Sequence, residues 1–223
     1  MIDEGAIKYR CDWQKTAAIQ PGGITELNRY RNALHQLNLI GQYPNGIGFG
    51  NLSQRIPPLP HSPNPPFPPF IISGTQTAHL PILTADNYAL VTTFSPEQNR
   101  LTCQGLCKAS SESMTHGVIY AQAPSIHAII HVHHRPLWQQ LLNQVPTTRA
   151  DIPYGTPEMA AETQRLFRES DLPRTKIFAM AGHEEGIVTF GENLQMAYRT
   201  LINWGMMTRL IPESALQLPF QNV

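Results

Sequence analysis

The sequence predicts a mixed α/β domain in which helices pack on a multi-stranded sheet. Two patterns lead there. Apolar residues recur at helical spacing in several segments, and short apolar runs end in turn residues. These patterns alternate along the 223 residues, so one mixed domain spanning 1–223 is expected. Adjacent short strands in the first half point to some antiparallel pairing.

The segment GITELNRYRNALHQLNLIG places Leu27, Tyr30, Leu34 and Leu37 on one helical face, with Gly41 as the stop. GFGNLSQR, residues 48–55, reads as a turn around Gly50, Asn51 and Ser53. Residues 56–70, IPPLPHSPNPPFPPF, cannot form a helix or a central strand, because proline fixes φ and lacks a donor. An extended loop within the domain is expected there. FIISG, HLPILT and YALVTTF read as short strands.

SSESMTHGVIYAQAP reads as a helix with serine caps and Glu112 in its first turn, ending at Pro124. IHAIIHVH is a strand, and RPLWQQLLNQ a helix with Pro136 in its first turn. TPEMAAETQRLFRES is a helix capped by Thr156, with Pro157 at the first helical position. TKIFAMAG and GIVTFG are strands joined by a turn at residues 183–185. ENLQMAYRTLINWGMMTRLI is a long amphipathic helix.

Composition narrows the function. Net charge is zero and charged residues are only 14%, so no strong field gathers nucleic acid or an anionic membrane. Low surface charge fits an oligomer. Cys11, Cys103 and Cys107 imply no disulfide framework, and no second pair completes a metal site with Cys103 and Cys107. No signal core is read at the start, and no run reaches about 18 apolar residues, so a cytoplasmic location is expected.

Four histidines stand in HAIIHVHHRPLW: His127, His131, His133 and His134. Strand alternation projects His131 and His133 to one face. His127 lies about 13 Å before His131, too far to share an ion with both, and His134 falls on the other face or at the strand end. A lone buried histidine is more often a satisfied core residue, but a His-x-His pair in an apolar strand favours a metal. The best third ligand is His183, in a turn between two strands; an exposed turn histidine is the competing reading. Three histidines with an open position describe a catalytic ion.

Glu112 stands beside Ser110 and Ser111 at a helix N-terminus, where backbone donors and the helix dipole favour an anion. Simple capping is compatible with that role. The turns around Asn51 and around Ser73, Gly74 and Thr75 could add donors.

GFGNLSQR, ISGTQT, SSESMTHGVIY, HVHH and GHEEGIVTFG occur in an order and spacing that resembles the class II aldolase/adducin family, over about residues 24–210. The resemblance implies a three-layer α/β/α sandwich with a mainly antiparallel sheet. It implies a divalent ion, usually zinc, held by His131, His133 and His183, with Glu112 as acid/base. It implies a substrate phosphate held by Asn51, Ser73, Gly74, Ser110 and Ser111, and for sugar-phosphate members a homotetramer. The expected activity is metal-dependent aldol cleavage or condensation of a small hydroxy-ketone or sugar phosphate. Epimerisation, dehydration, decarboxylation and a non-catalytic adducin-like role are the alternatives. Gly48 stands where the aldolases carry a hydroxyl residue, and Glu184 and Glu185 follow His183 where glycine is common. Tyr120, Tyr154 and Tyr198 are candidate proton donors.

Overall fold

The computed structural model describes residues 5–56 and 69–220. An eight-stranded sheet runs in the order β1-β7-β6-β5-β4-β8-β10-β9. Its strands are β1 (Arg10–Lys15), β4 (Asn51–Arg55), β5 (Phe70–Ser73), β6 (Tyr88–Ser95), β7 (Arg100–Gly105), β8 (Ala128–His133), β9 (Ile177–Ala179) and β10 (Gly186–Gly191). Only β1 and β7 pair in parallel; every other neighbouring pair is antiparallel. A separate small ribbon joins β2 (Gly41–Gln42) to β3 (Gly48–Phe49).

Strand alternation divides the sheet between two cores. Leu52, Ile130, Val132 and Ile187 pack with α1 (Thr25–Gln36) and α6 (Leu194–Met207). Ile72, Val91, Ile129 and Val188 pack on the other face with α2 (Ser113–Gln122) and α4 (Pro157–Glu169). Helices on both faces give the α/β/α layering. The shorter α3 (Arg135–Leu141) and α5 (Leu172–Thr175) complete the set. Among the described residues, no helix is long and apolar enough to cross a membrane.

Local signals set several ends. Thr156 accepts from Met159 N and starts α4, with Pro157 first in the helix. Asn193 does the same for α6 through Met196 N. His134 caps α3 by accepting from Leu137 N at 3.1 Å, which takes it out of the histidine cluster.

Four expectations are corrected. HLPILT is not a strand: Pro81 lacks a donor, and the Arg31 guanidinium and Asn28 amide bind the carbonyls of Ala78, Pro81 and Leu83 in place of a ladder. GFGNLSQR is a turn only at Gly50 (φ +78°), after which Asn51 opens β4 between β5 and β8. The first helix stops at Gln36, with Asn38 left-handed at φ 55°, and Gly41 opens β2. Finally, α2 has Glu112 itself at the cap position and no side-chain cap bond. Ser110 Oγ instead accepts from Glu112 N at 3.4 Å.

Residues 57–68 of the proline segment lie outside the described residues. The strands on either side are sheet neighbours, and Ile56 N donates to Pro69 O at 2.9 Å. The three cysteines are free, with Cys11 Sγ 3.6 Å from Cys103 Sγ.

Close packing fixes the height of α2 over the sheet. A Cβ on Gly117 would meet the Phe94 ring at 2.9 Å. Alanine raises helix propensity by about 1 kcal/mol, but overpacking costs about 1–3 kcal/mol. Gly117→Ala is therefore expected to destabilise the protein by up to about 2 kcal/mol in urea unfolding; a more stable variant would contradict this packing.

Candidate active site

The site lies where β4 begins, β5 ends, β8 ends and β10 begins. Antiparallel register brings these ends together: Asn51 faces His131, Val188 faces His131, and Gly186 faces His133. His131 and His133 project to the face covered by α2. His183 enters from the turn between β9 and β10, where His183 N donates to Met180 O and Gly186 N to His183 O.

The three imidazoles are all buried, and their ligand atoms lie within 4.8 Å of one another. His131 Nε2 and His133 Nε2 are 3.0 Å apart. Ring centroids of His183 lie 5.2 Å from His131 and 4.7 Å from His133. Gly186 makes room: a Cβ there would stand 3.2 Å from His183 Nδ1 and 3.3 Å from His131 Cε1. Gly182, just before His183, has none, since its Cβ would fall 1.9 Å from Ile152 O.

Hydrogen bonds assign the tautomers. His131 Nδ1 lies 3.3 Å from Ile187 O, and a carbonyl only accepts, so Nδ1 carries the proton. Tyr43 Oη donates its one proton to Glu185 Oε2 at 2.7 Å, so it accepts from His133 Nδ1 at 2.9 Å. Both Nε2 atoms then keep their lone pairs and face each other. Tetrahedral zinc bonds of about 2.0–2.1 Å place two nitrogens roughly 3.3 Å apart, close to this separation. The donor set therefore fits a divalent ion, and burial helps: it holds His131 and His133 well below the usual imidazole range, hence neutral.

Glu112 is buried with them, its Oε1 3.5 Å from His183 Nδ1. It sits at the head of α2, where the helix dipole favours a carboxylate. Tyr154 stacks on His183 at 4.4 Å, and Lys8 Nζ lies 3.9 Å from the centroid of the Tyr154 ring. The N-terminal segment runs past here: Ala6 N donates to Tyr154 Oη at 3.1 Å, and Tyr9 Oη donates to Ser110 O at 2.8 Å.

The other expected residues gather at the same end of the sheet. Asn51 is buried, and its Oδ1 has no hydrogen-bond partner among the described residues. Ser73 Oγ accepts from Leu52 N at 3.4 Å. Gly74 bridges to Ala109, directly ahead of Ser110 and Ser111, and a Cβ on it would strike Cys107 Sγ at 2.4 Å. Of the three tyrosines, only Tyr154 touches the cluster. Tyr120 is engaged with Ser53 Oγ at 2.8 Å, and Tyr198 donates to Ala215 O at 2.8 Å. Sequence reasoning missed Tyr43, which no local pattern marks.

One more histidine lies nearby. His116, one helical turn after Glu112, is fully buried with Nδ1 2.7 Å from Ser53 Oγ, and burial lowers it to about 3.

A family model for the class II aldolase and adducin N-terminal domain matches residues 45–209. The fold is similar to that of several solved structures. A sugar-phosphate aldolase from Thermotoga maritima has a TM-score of 0.63 and 18% identity, covering 85% of this chain and 93% of its own. An L-fuculose 1-phosphate aldolase has a TM-score of 0.61 and 16% identity, covering 91% and 96%. The L-fuculose-1-phosphate aldolase of Thermus thermophilus has a TM-score of 0.53 and 20% identity, covering 86% and 90%.

A pH prediction follows from the buried rings. Their folded values are depressed, whereas the unfolded chain takes up protons near pH 6.5. Stability is thus full above about pH 7 and falls as pH drops through 6.5, by up to about 1.4 kcal/mol per histidine per pH unit. Urea midpoints of chelator-treated protein at pH 7.5 and 5.5 check this; equal midpoints would refute it.

Proposed function

Because the chain belongs to the class II aldolase and adducin family, we propose that it is a divalent-metal-dependent, lyase-type enzyme acting on a small hydroxy-ketone or sugar phosphate. The observation that carries this reading is the convergence of three buried imidazoles with one buried carboxylate. Burying four ionisable groups together costs solvation, a cost that a metal-assisted acid/base site would offset through its function.

His131, His133 and His183 would hold the ion, zinc or another such as manganese, cobalt or iron. Once bound, it would supply Lewis-acid polarisation of a carbonyl oxygen, favouring the enediolate form of the substrate. Glu112 takes and returns the proton, from a position fixed by the head of α2. Asn51, Ser73, Gly74, Ser110 and Ser111 orient the substrate's polar or phosphorylated end with side-chain and backbone donors. Tyr154 covers His183 and limits water access. Aldol cleavage or condensation is the favoured outcome, since the similar folds described above include aldolases of sugar phosphates.

The test is a screen of metal-loaded protein against ketose 1-phosphates, pentulose 5-phosphates and unphosphorylated hydroxy-ketones, with metal content measured in parallel. Glu112→Gln should keep the ion and lose about 10²–10⁴-fold in turnover on the best substrate. His131→Ala should stay folded and lose the ion. Wild-type turnover by Glu112→Gln would remove Glu112 from the mechanism.

A further inference from the structure

The β2–β3 ribbon and the turn after His183 meet at the Nδ1 side of His133. Three side chains link there. Tyr43 Oη accepts from His133 Nδ1 at 2.9 Å and donates to Glu185 Oε2 at 2.7 Å. Arg135 Nε then donates to Glu185 Oε1 at 2.8 Å, and its guanidinium also binds Glu184 at 2.7 Å. The Glu185 side chain is only 15% exposed, whereas Arg135 and Glu184 are half-exposed. The chain of contacts therefore runs from solvent-facing charge, through a sheltered carboxylate and a phenol, to a buried imidazole.

The backbone at Glu185 adds an independent observation. It is left-handed, at φ 70°, a conformation that L side chains avoid and glycine adopts freely. Nothing in the turn itself calls for a glutamate there. Strain held at one residue, with its side chain bonded to the tyrosine that meets a candidate ligand, points to a role for that side chain.

We propose that Tyr43 and Glu185 form a relay that positions His133 as a metal ligand and strengthens it. The relay rests on the metal reading of the three histidines. The Glu185 carboxylate polarises the Tyr43 hydroxyl, whose oxygen becomes the better acceptor for Nδ1–H. That bond fixes the ring orientation and the tautomer, so the Nε2 lone pair faces His131 Nε2. It also pushes electron density toward Nε2 and raises its basicity as a ligand. A carboxylate bonded directly to a ligand imidazole does the same work elsewhere in metalloproteins; here a phenol is interposed. Arg135 holds the carboxylate in place. Tyr43 and Glu185 are positioning residues, since each would act through His133 and neither belongs to the group that would hold the ion.

The test uses the full chain, stripped with a chelator and titrated with zinc against a chromophoric chelator at pH 7.5. Cobalt loading adds a readout, because its visible absorption reports the ligand field. Tyr43→Phe and Glu185→Gly should each weaken zinc by about 10–100-fold and shift the cobalt spectrum. Glu185→Gln keeps an acceptor for Tyr43 without the charge and should recover part of the affinity. Glu185→Gly should leave the thermal midpoint of the stripped protein level or higher, since glycine relieves the left-handed backbone. Affinity and stability thus part company, which a merely structural role does not produce. Wild-type zinc affinity and cobalt spectrum in Tyr43→Phe and Glu185→Gly overturn the relay alone. A wild-type chain that takes up no zinc overturns the relay and the metal reading together.

Discussion

Two imidazole nitrogens, both unprotonated in the tautomers that Ile187 O and Tyr43 favour, face each other at 3.0 Å inside the sheet and set the terms for the residues around them. Lone pairs at that distance repel, and burial removes the water that would separate them. A proton could relieve the repulsion, but burial and the neighbouring His183 disfavour charging either ring. A cation with a preference for nitrogen would relieve it, and the three-histidine group could hold one. Ile187 O on one side and Tyr43 on the other hold the Nδ1 protons outward, so both rings present the same atom inward.

That arrangement needs rigid support, and its position within the sheet supplies it. The strand carrying His131 and His133 has ladder partners on both edges at His131, so the backbone beneath the rings is held by a register shared with Asn51, Val188 and Gly186. His183 is held differently. Its turn is closed by two backbone bonds and wedged against the Ile152 carbonyl through Gly182. Glu112 comes on a third element, whose height is set by Gly117 against Phe94. Three separate pieces of backbone converge on one point, each fixed by packing that has nothing to do with the ligands. Such support keeps a constellation at productive geometry.

Legibility in the sequence followed from how local each signal was. The His131/His133 pair could be read because strand alternation is a two-residue rule, and α4 because Thr156 and Pro157 cap it within its own first turn. The family pattern reached further, linking Asn51, Glu112 and His183 across the chain. What escaped depended on distant partners. The outermost pair, β1 and β7, carries RCDWQK and RLTCQG, too polar to read as strands until paired. HLPILT read as a strand because its apolar run is real, yet Arg31, some fifty residues earlier, satisfies the carbonyls instead. Tyr43 meets His133 across ninety positions, and no window of sequence contains both.

The histidines show how burial and partners sort one residue type into different jobs. His116 is as buried as His131, yet its Nδ1 meets the Ser53 hydroxyl, which Tyr120 also joins. It belongs to a polar network inside the core, and its depressed value near 3 reflects desolvation alone. His134 spends its Nδ1 on Leu137 N and starts a helix. His127 remains exposed, its backbone N donating to Gly191 O. Among the described residues, only His131, His133 and His183 bring ring nitrogens together. Perturbed acidity therefore does not separate ligand from core residue here, since His116 shares it. The direction in which the unprotonated nitrogen points does, and that direction is fixed by whatever holds the proton on the other side of the ring.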